Sequence, residues 1–230
     1  MRVVWLSVGW LTEEELDMHL NLAAPEGAVR LFNGVDMDGW TKRDGSPAVW
    51  RVEDGVMTSG GGDIMTEHRF SDAYIHLEFK CPHMPEATGQ ARGNSGVYLQ
   101  GRYEIQVLDS FGVGIPGKGD CGAIYDQFAP LTNACRPPEE WQSYDIVFRG
   151  ARVAADGTVE SQARVTLLLN GCVIHNNVEA LGPTGGALDQ DIAAPGPLLL
   201  QDHGNAVQFR NLWMIPLPLA GSDRYEPTPA

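Results

Sequence analysis

One short segment of the chain contains two carboxylates and an amide at a spacing that could place all three on a bound sugar. It reads GNSGVYLQGRYEIQVLDS from Gly93 to Ser110, a pattern typical of two antiparallel strands joined by a tight Gly-Arg turn. Successive side chains of a strand point to opposite faces, so Glu104 and Gln106 share one face. Asp109 follows at an odd offset, and a β-bulge would return it to that face. Two acids and an amide on one exposed sheet face predict a sugar site.

The same alternation has an ordinary alternative. On a sheet with one solvated face, most Glu and Gln side chains have no chemical role. Tyr98 shares the polar side of the first strand and is a candidate substrate-binding residue. The opposite side predicts a core-facing surface made of Val97, Leu99, Tyr103, Ile105 and Val107.

Two loops carry further candidate groups. His203 lies in the segment Gln201–Asn205 between two predicted strands, and an imidazole that titrates near neutral pH suits an acid or a base. An exposed histidine without a role is the alternative. Arg136 and Trp141 flank a Pro-Pro bend, and a Trp ring can stack on the C–H face of a pyranose. A core position is the alternative for this Trp.

The composition describes one turn-rich globular domain. The chain has 230 residues with 27 Gly and 15 Pro, and its hydrophobic content of 43% is that of a folded protein. The net charge of −14 argues against nucleic acid or an anionic membrane as a partner. No segment reaches the ~20 apolar residues of a membrane span.

Short strand patterns fill most of the chain. Tyr74 to Lys80 alternates clearly, and Asn170-Gly171 is the strongest hairpin signal. One helix is predicted from Thr12 to Leu22, with Thr12 as its N-cap. Roughly ten or more strands in a single domain predict an all-β sandwich or barrel, and the connecting loops suit a jelly roll.

The ends of the chain and its cysteines leave several alternatives. We expect the domain at residues 28–217, after a leader or short N-terminal element at 1–27 and before a Pro-rich tail at 218–230. Arg2 and a short apolar run resemble a signal peptide, although no A-x-A-like site follows. Cys121 and Cys135 bracket a loop that a disulfide could close, or they are two buried thiols. We expect no required cofactor, while Asp- and Asn-rich loops allow a structural calcium ion.

A series of motifs from about Leu31 to Ile215 resembles the bacterial 3-keto-disaccharide hydrolase domain family, earlier a domain of unknown function. The motifs are LFNGVDMDGW, WRVEDGVM, GGGDIMT, GNSGVYLQGRYEIQVLDS, CGAIYDQ, NACRPPEEWQSYDIVFR, ARVTLLLNG, LGPTGG and LQDHGNAVQFRNLWM. The resemblance implies a concanavalin A-like jelly-roll β-sandwich of two curved antiparallel sheets, with a ligand groove on the concave one. It also implies a carbohydrate partner oxidised at position 3 and a secreted or periplasmic location.

A more distant similarity is to laminarinase-like retaining glycosidases, whose strand motif is E-x-D-x-x-E. Here the pattern is Glu104-x-Gln106-x-x-Asp109, with two changes. The usual double displacement needs two carboxyl groups about 5 Å apart, so these changes weaken that assignment. A retaining endoglucanase-like glycosidase therefore stays an alternative, as does a non-catalytic carbohydrate-binding module on the same fold.

A keto sugar offers a route without a carboxylate nucleophile, because the carbonyl acidifies the neighbouring C–H and permits elimination followed by hydration. Our hypothesis assigns the base to Glu104 or Asp109 and makes His203 a proton donor or enolate partner. Arg136 would hold the keto oxygen. The candidate substrate-binding residues are Asn94, Gln106, Tyr98, Arg136 and Trp141.

Overall fold

Alternating apolar residues build two antiparallel sheets that pack face to face. The computed structural model describes residues 4–6, 9–11 and 18–221, and within these ranges it contains strands and one 3₁₀ turn, Gly89–Ala91, but no α-helix. The predicted all-β jelly-roll sandwich is therefore confirmed. In chain order the strands are β1 (Val4–Leu6), β2 (Gly9–Leu11), β3 (Val29–Arg30), β4 (Trp40–Lys42), β5 (Arg51–Glu53), β6 (Val56–Thr58), β7 (Ile64–Phe70), β8 (Ala73–Lys80), β9 (Ser95–Leu99), β10 (Tyr103–Val107), β11 (Gln142–Arg149), β12 (Arg152–Val153), β13 (Val159–Ser161), β14 (Arg164–Leu169), β15 (Cys172–Glu179), β16 (Gly196–Leu200) and β17 (Gln208–Pro216).

The two sheets differ in size. The smaller has the order β10-β9-β16-β7-β4, and the larger has the order β15-β14-β11-β8-β17-β6-β5 with β3 beside β17. The β14–β15 hairpin confirms the signal read at Asn170-Gly171, because both residues adopt the positive φ that a tight hairpin turn needs.

The core lies between the sheets and follows the two-residue period of the strands. On β8 the buried side chains are Ile75, Leu77 and Phe79, as the alternation predicts. The five apolar residues predicted to face the core from β9 and β10 are all fully buried in the same cluster. The other faces of these two strands are therefore left for polar groups.

Strand β10 is an edge strand, and irregular chain covers its free side. The N–H of Gln106 donates to the Ala123 carbonyl, and the N–H of Gly122 donates back to the Gln106 carbonyl. The Glu104 N–H donates to the Thr184 hydroxyl at 2.9 Å. These bonds satisfy backbone groups that an open edge would expose, so they fix β10 in place.

The segment before β3 runs across the outer face of the larger sheet. The His19 imidazole packs on Gly171, and the Asn21 N–H donates to Glu78 Oε1 at 2.5 Å. The Leu22 carbonyl accepts bonds from the Asn211 amide at 3.0 Å and the Trp213 indole at 3.2 Å. We call residues 19–22 the N-terminal strap.

The strap replaces part of the predicted helix. Residues 18–19 form a turn and residues 20–21 a bend, and Asn21 has φ of 57°, which lies outside the helical region. The Asn21 N–H and the Leu22 carbonyl, which a helix would pair within itself, form hydrogen bonds with side chains of the larger sheet instead. Residues 12–17 lie outside the described ranges, as do residues 1–3 and 7–8 of the predicted leader and residues 222–230 of the predicted tail. All four cysteines are free thiols, including the Cys121 and Cys135 for which a disulfide was one alternative.

Candidate active site

The β9–β10 hairpin positions the polar residues singled out in the sequence. The two strands pair antiparallel, with Glu104 opposite Tyr98 and Gln106 opposite Gly96. The turn is centred on Gln100 and Gly101, both with positive φ, one residue earlier than the predicted Gly-Arg turn. Because the alternation is preserved on both strands, Tyr98, Glu104 and Gln106 share the face that points away from the core.

Gly96 makes space for the Glu104 carboxyl group. A Cβ atom added at Gly96 would lie 2.3 Å from Glu104 Oε1, far inside a normal contact. The Glu104 side chain is consequently folded down onto the sheet and is 3% exposed. Burial raises the pKa of Glu104 to about 7, against a lowering hydrogen bond from Tyr98. A carboxyl group with this pKa can take up and release a proton near neutral pH.

Tyr98 joins Glu104 to a wall made of two glycines. Its hydroxyl donates to the Gly185 carbonyl at 3.1 Å, and it lowers the pKa of the Glu104 carboxyl group. The Gln201 amide donates to the same hydroxyl at 3.3 Å. Gly186 has φ of 75°, and a Cβ there would lie 2.7 Å from the Tyr98 hydroxyl. The wall therefore requires glycine in order to approach Tyr98 so closely.

Three amide side chains form a network on the other side of Glu104. Gln106 Nε2 donates to Asn94 Oδ1 at 3.0 Å and to Gln90 Oε1 at 3.1 Å. The Asn94 amide donates to the Gln90 carbonyl at 2.7 Å. Gln106 Oε1 is buried without a hydrogen-bond partner. A buried acceptor without a partner is unfavourable, so this oxygen is suited to accept a hydroxyl from a ligand.

These groups line one pocket on the smaller sheet. Its volume is about 160 Å³, below the ~300–1,000 Å³ of sites for drug-sized ligands, which suits a single sugar ring. The lining residues are Gln90, Asn94, Tyr98, Glu104, Gln106, Tyr125, Gly185, Gly186, Gln201 and His203. Amides, hydroxyls and one carboxyl group make the lining polar, and it contains neither Lys nor Arg.

Five of the eight residues predicted for the site line this pocket, namely Asn94, Tyr98, Glu104, Gln106 and His203. Asp109 lies beyond the end of β10, and no bulge returns it to the pocket face. Its Oδ2 lies 3.2 Å from Arg92 Nε, and its Oδ1 accepts the Phe111 N–H at 3.2 Å. This carboxylate therefore serves an ion pair and a turn beside the site.

Arg136 and Trp141 lie at the larger sheet instead. Trp141 immediately precedes β11, with the Lys80 ammonium 5.0 Å and the Arg210 guanidinium 4.1 Å from its ring centre. Arg136 Nη1 donates to the Trp141 carbonyl at 3.2 Å. The Pro-Pro bend thus keeps both residues together, but they do not line the pocket.

Sequence reasoning missed Gln90, Tyr125, Gln201 and the glycine wall as lining residues. Gln90 lies in the 3₁₀ turn, and Tyr125 follows the Ile124 that bridges to Ile105 on β10. Neither segment has a strand or helix period; Tyr125 is part of the quoted motif CGAIYDQ, whereas Gln90 lies outside every quoted motif and carried no signal.

Two further observations concern metals and membranes. Within the part of the chain that the structure describes, no three His, Cys, Asp or Glu side chains are grouped as a metal site would need. The structural calcium ion therefore stays a prediction. Across the same described ranges, no helix has the length and apolarity to cross a bilayer.

Comparisons with known proteins agree with this geometry. A crystal structure from Parabacteroides distasonis ATCC 8503, provisionally described as a glycosyl hydrolase, is 39% identical, covers 84% of this chain and 85% of that one, and has a TM-score of 0.78. A second structure with the same source and description is 25% identical, with coverage of 90% and 98% and a TM-score of 0.61. A search of curated proteins gives no match.

The family comparison is the most direct. The 3-keto-alpha-glucoside-1,2-lyase-like domain model matches residues 27–215, which is most of the chain and agrees with the resemblance read from its motifs. With the two related structures, this match supports a role in carbohydrate processing. The chain belongs to the 3-keto-alpha-glucoside-1,2-lyase-like domain family.

Proposed function

We propose that this protein cleaves the glycosidic bond of a 3-keto glycoside by elimination followed by hydration, with Glu104 as the base. The observation that carries the proposal is the position of Glu104. It is the one carboxylate among the residues that line the pocket, and burial raises its pKa to about 7. A single base of this kind suits proton abstraction beside a carbonyl.

The chemistry follows from the keto group. A carbonyl at position 3 acidifies the hydrogen on C2 of the ring. The Glu104 carboxylate takes that proton, a C1–C2 double bond forms, and the C1–O bond to the leaving group breaks. The departing oxygen takes a proton from His203. Water then adds, with its hydroxyl on C1; Glu104 returns its proton to C2, and His203 takes one from the water.

The remaining lining residues would bind and orient the sugar. Gln106 Oε1 and the Asn94–Gln90 amides offer acceptors and donors to ring hydroxyls. The Gln201 amide and the Tyr125 hydroxyl supply donors for the oxygen on C3, where negative charge develops as the C2 proton leaves. Arg136, our earlier candidate for this oxygen, lies at the larger sheet and is not used.

The pocket is less suited to a retaining glycosidase. Double displacement needs an acid and a nucleophile, two carboxyl groups about 5 Å apart. Glu104 has no carboxylate partner among the lining residues, and Asp109 is engaged by Arg92. The proposal therefore favours an oxidised substrate over an ordinary glucan.

The first experiment compares a 3-keto glucoside with its unoxidised parent and follows release of the aglycone. We expect release from the keto substrate alone. Glu104→Gln should reduce the rate by ~10²–10⁴-fold, the usual contribution of a general base. Glu53→Gln, an exposed carboxylate on β5, is the matched control and should leave the rate unchanged. Release from the parent sugar would instead support an ordinary glycosidase. Binding without release would support a carbohydrate-binding module.

A second experiment separates elimination from direct hydrolysis. In D₂O the proposed route places one solvent deuteron on C2 of the released sugar, because the proton that Glu104 takes from C2 exchanges with solvent before Glu104 protonates C2 again. The released sugar held in D₂O without protein gives the background exchange. Complete release with hydrogen retained at C2 would contradict elimination.

A further inference from the structure

An ion pair behind the pocket wall joins loops from separate parts of the chain. Arg43 follows β4, and Asp63 immediately precedes β7. Arg43 Nε lies 2.7 Å from Asp63 Oδ2, with side chains 36% and 18% exposed. Neither residue lines the pocket. They can therefore affect the site in two ways: through the backbone groups that they hydrogen-bond and through their charges.

Arg43 holds the glycine wall. Its Nη2 donates to the Gly186 carbonyl at 2.7 Å. Gly186 and Gly185 in turn pack against the hydroxyl of Tyr98, the residue opposite Glu104 in the β9–β10 register. One guanidinium thus connects Asp63 to the wall, and it needs both its Nε and its Nη2 to do so.

Asp63 holds the loop that carries His203. Its Oδ1 accepts the Asp202 N–H at 2.8 Å. The Asp202 carboxylate accepts the Gly62 N–H at 2.8 Å and the Gly204 N–H at 3.0 Å. His203 lies between Asp202 and Gly204, so both of its backbone neighbours are fixed by this arrangement.

We propose that the Arg43–Asp63 pair is a positioning unit of the active site, which sets the glycine wall and the His203 loop relative to Glu104. The inference rests on the proposed function for the role of Glu104 as the base. It extends that function to two residues that do not themselves line the pocket.

The two charges also act on Glu104 with opposite signs. Burial is the main cause of the raised pKa of Glu104; Asp63 raises this pKa further, whereas Arg43 and the Tyr98 hydrogen bond lower it. His203 and Tyr125 are the other titratable groups on the pocket lining. Removing either member of the ion pair should thus shift the ionisation of Glu104 in a direction set by the charge lost.

The test measures the pKa of Glu104 in Asp63→Asn and Arg43→Gln. Carbon-13 NMR titration of the Glu104 carboxyl group, assigned with Glu104→Gln, reads it directly, and the pH dependence of kcat/KM reads it through turnover. We expect a lower pKa in Asp63→Asn and a higher one in Arg43→Gln. Arg51→Gln and Glu53→Gln remove an exposed ion pair on β5 and should shift nothing.

A purely structural role would not give opposite shifts. Shifts in the same direction, or no shift in either variant, would overturn the inference. Arg43→Lys keeps the positive charge but loses the paired Nε and Nη2 donors, so we expect a nearly unchanged Glu104 pKa with a lower kcat/KM. An unchanged kcat/KM in this variant would contradict the positioning role. The NMR titration needs no turnover, so absence of cleavage by the natural protein would overturn the proposed function and still leave the inference testable.

Discussion

The Glu104 carboxyl group occupies the space that a side chain at Gly96 would fill. The two residues lie on neighbouring strands, and Gly96 is opposite Gln106 in the β9–β10 register. An added Cβ would lie 2.3 Å from Glu104 Oε1. The site therefore depends on an absent side chain as much as on the acid itself.

Gly96→Ala should displace Glu104. We expect a loss of turnover of about 100-fold, since a misplacement of about 1 Å can have that effect. Overpacking should also lower stability by about 1–3 kcal/mol. Thermal melts and kcat/KM measure the two effects. Gly114→Ala is the control, because a Cβ there meets no atom within 4 Å. Full activity in Gly96→Ala would contradict the claim that catalysis depends on the position in which Gly96 lets Glu104 lie.

The pH dependence of cleavage should follow Glu104. The base must be ionised, and its pKa is about 7, so kcat/KM should rise with pH through a midpoint near 7. Rates with the 3-keto glucoside between pH 5 and 9 would define this limb. A rate that is already constant from pH 5 upward would indicate a base with the pKa of an exposed carboxylate and would argue against Glu104.

Tyr98→Phe tests the effect of the Tyr98 hydroxyl on the pKa of the base. The Tyr98 hydroxyl lowers the pKa of Glu104, so its removal should move the rising limb of kcat/KM to higher pH. Tyr74→Phe is the matched control, because Tyr74 donates to Asp145 on the larger sheet at 2.6 Å. A limb that moves equally in both variants would contradict a specific role for Tyr98.

Gln106→Met tests the buried acceptor. Losing a hydrogen bond to a ligand hydroxyl costs about 0.5–1.5 kcal/mol, so KM should rise by roughly 2- to 13-fold. Kinetic constants for the keto substrate measure this change. Gln162→Met removes another Gln whose Oε1 is buried without a partner, and Gln162 does not line the pocket. Equal KM values for the two variants would exclude Gln106 from substrate binding.

A buried cluster on the outer face of the larger sheet governs a pH dependence of stability. His76 lies 2.8 Å from Asp145 and 3.6 Å from Glu78, and Arg210 Nε lies 2.6 Å from the other oxygen of Glu78. Burial would raise the pKa of Glu78, but bonds from His76, Asn211, Arg210 and Asn21 hold it at about 2. Burial would lower the pKa of His76, but Asp145 and Glu78 raise it.

The signs of the two shifts define a window. The lowered pKa of Glu78 gives stability that is present above its usual 4.5 and is lost as pH falls toward 2, about 3 kcal/mol in all. The raised pKa of His76 gives stability that is present below its usual 6.5 and is lost at higher pH. Urea unfolding against pH should therefore show the largest contribution between about 4.5 and 6.5. Glu78→Gln should remove the acid limb, whereas the exposed Glu53→Gln should not.

The strand pattern explains why part of the site was predictable. Alternation over β9 and β10 placed Tyr98, Glu104 and Gln106 on one face because the period of a strand is local. The positions of Asp109 and Trp141 depend on where loops lead after a strand ends, and no local period records that. The Arg43–Gly186 contact joins residues far apart in sequence, so it emerges only from the folded arrangement.

The N-terminal strap lies outside the family match but is part of the folded domain. Residues 19–22 precede the family match at 27–215. Even so, the Asn21 N–H donates a hydrogen bond to the buried Glu78 carboxylate, and the Leu22 carbonyl accepts one from the Trp213 indole N–H. A fragment cut at the family boundary would keep every residue of the pocket and lose a donor to a buried carboxylate. The family match is here shorter than the set of residues that bond to the larger sheet, so an expression boundary set at residue 27 should lower the free energy of unfolding and leave the pocket residues in place.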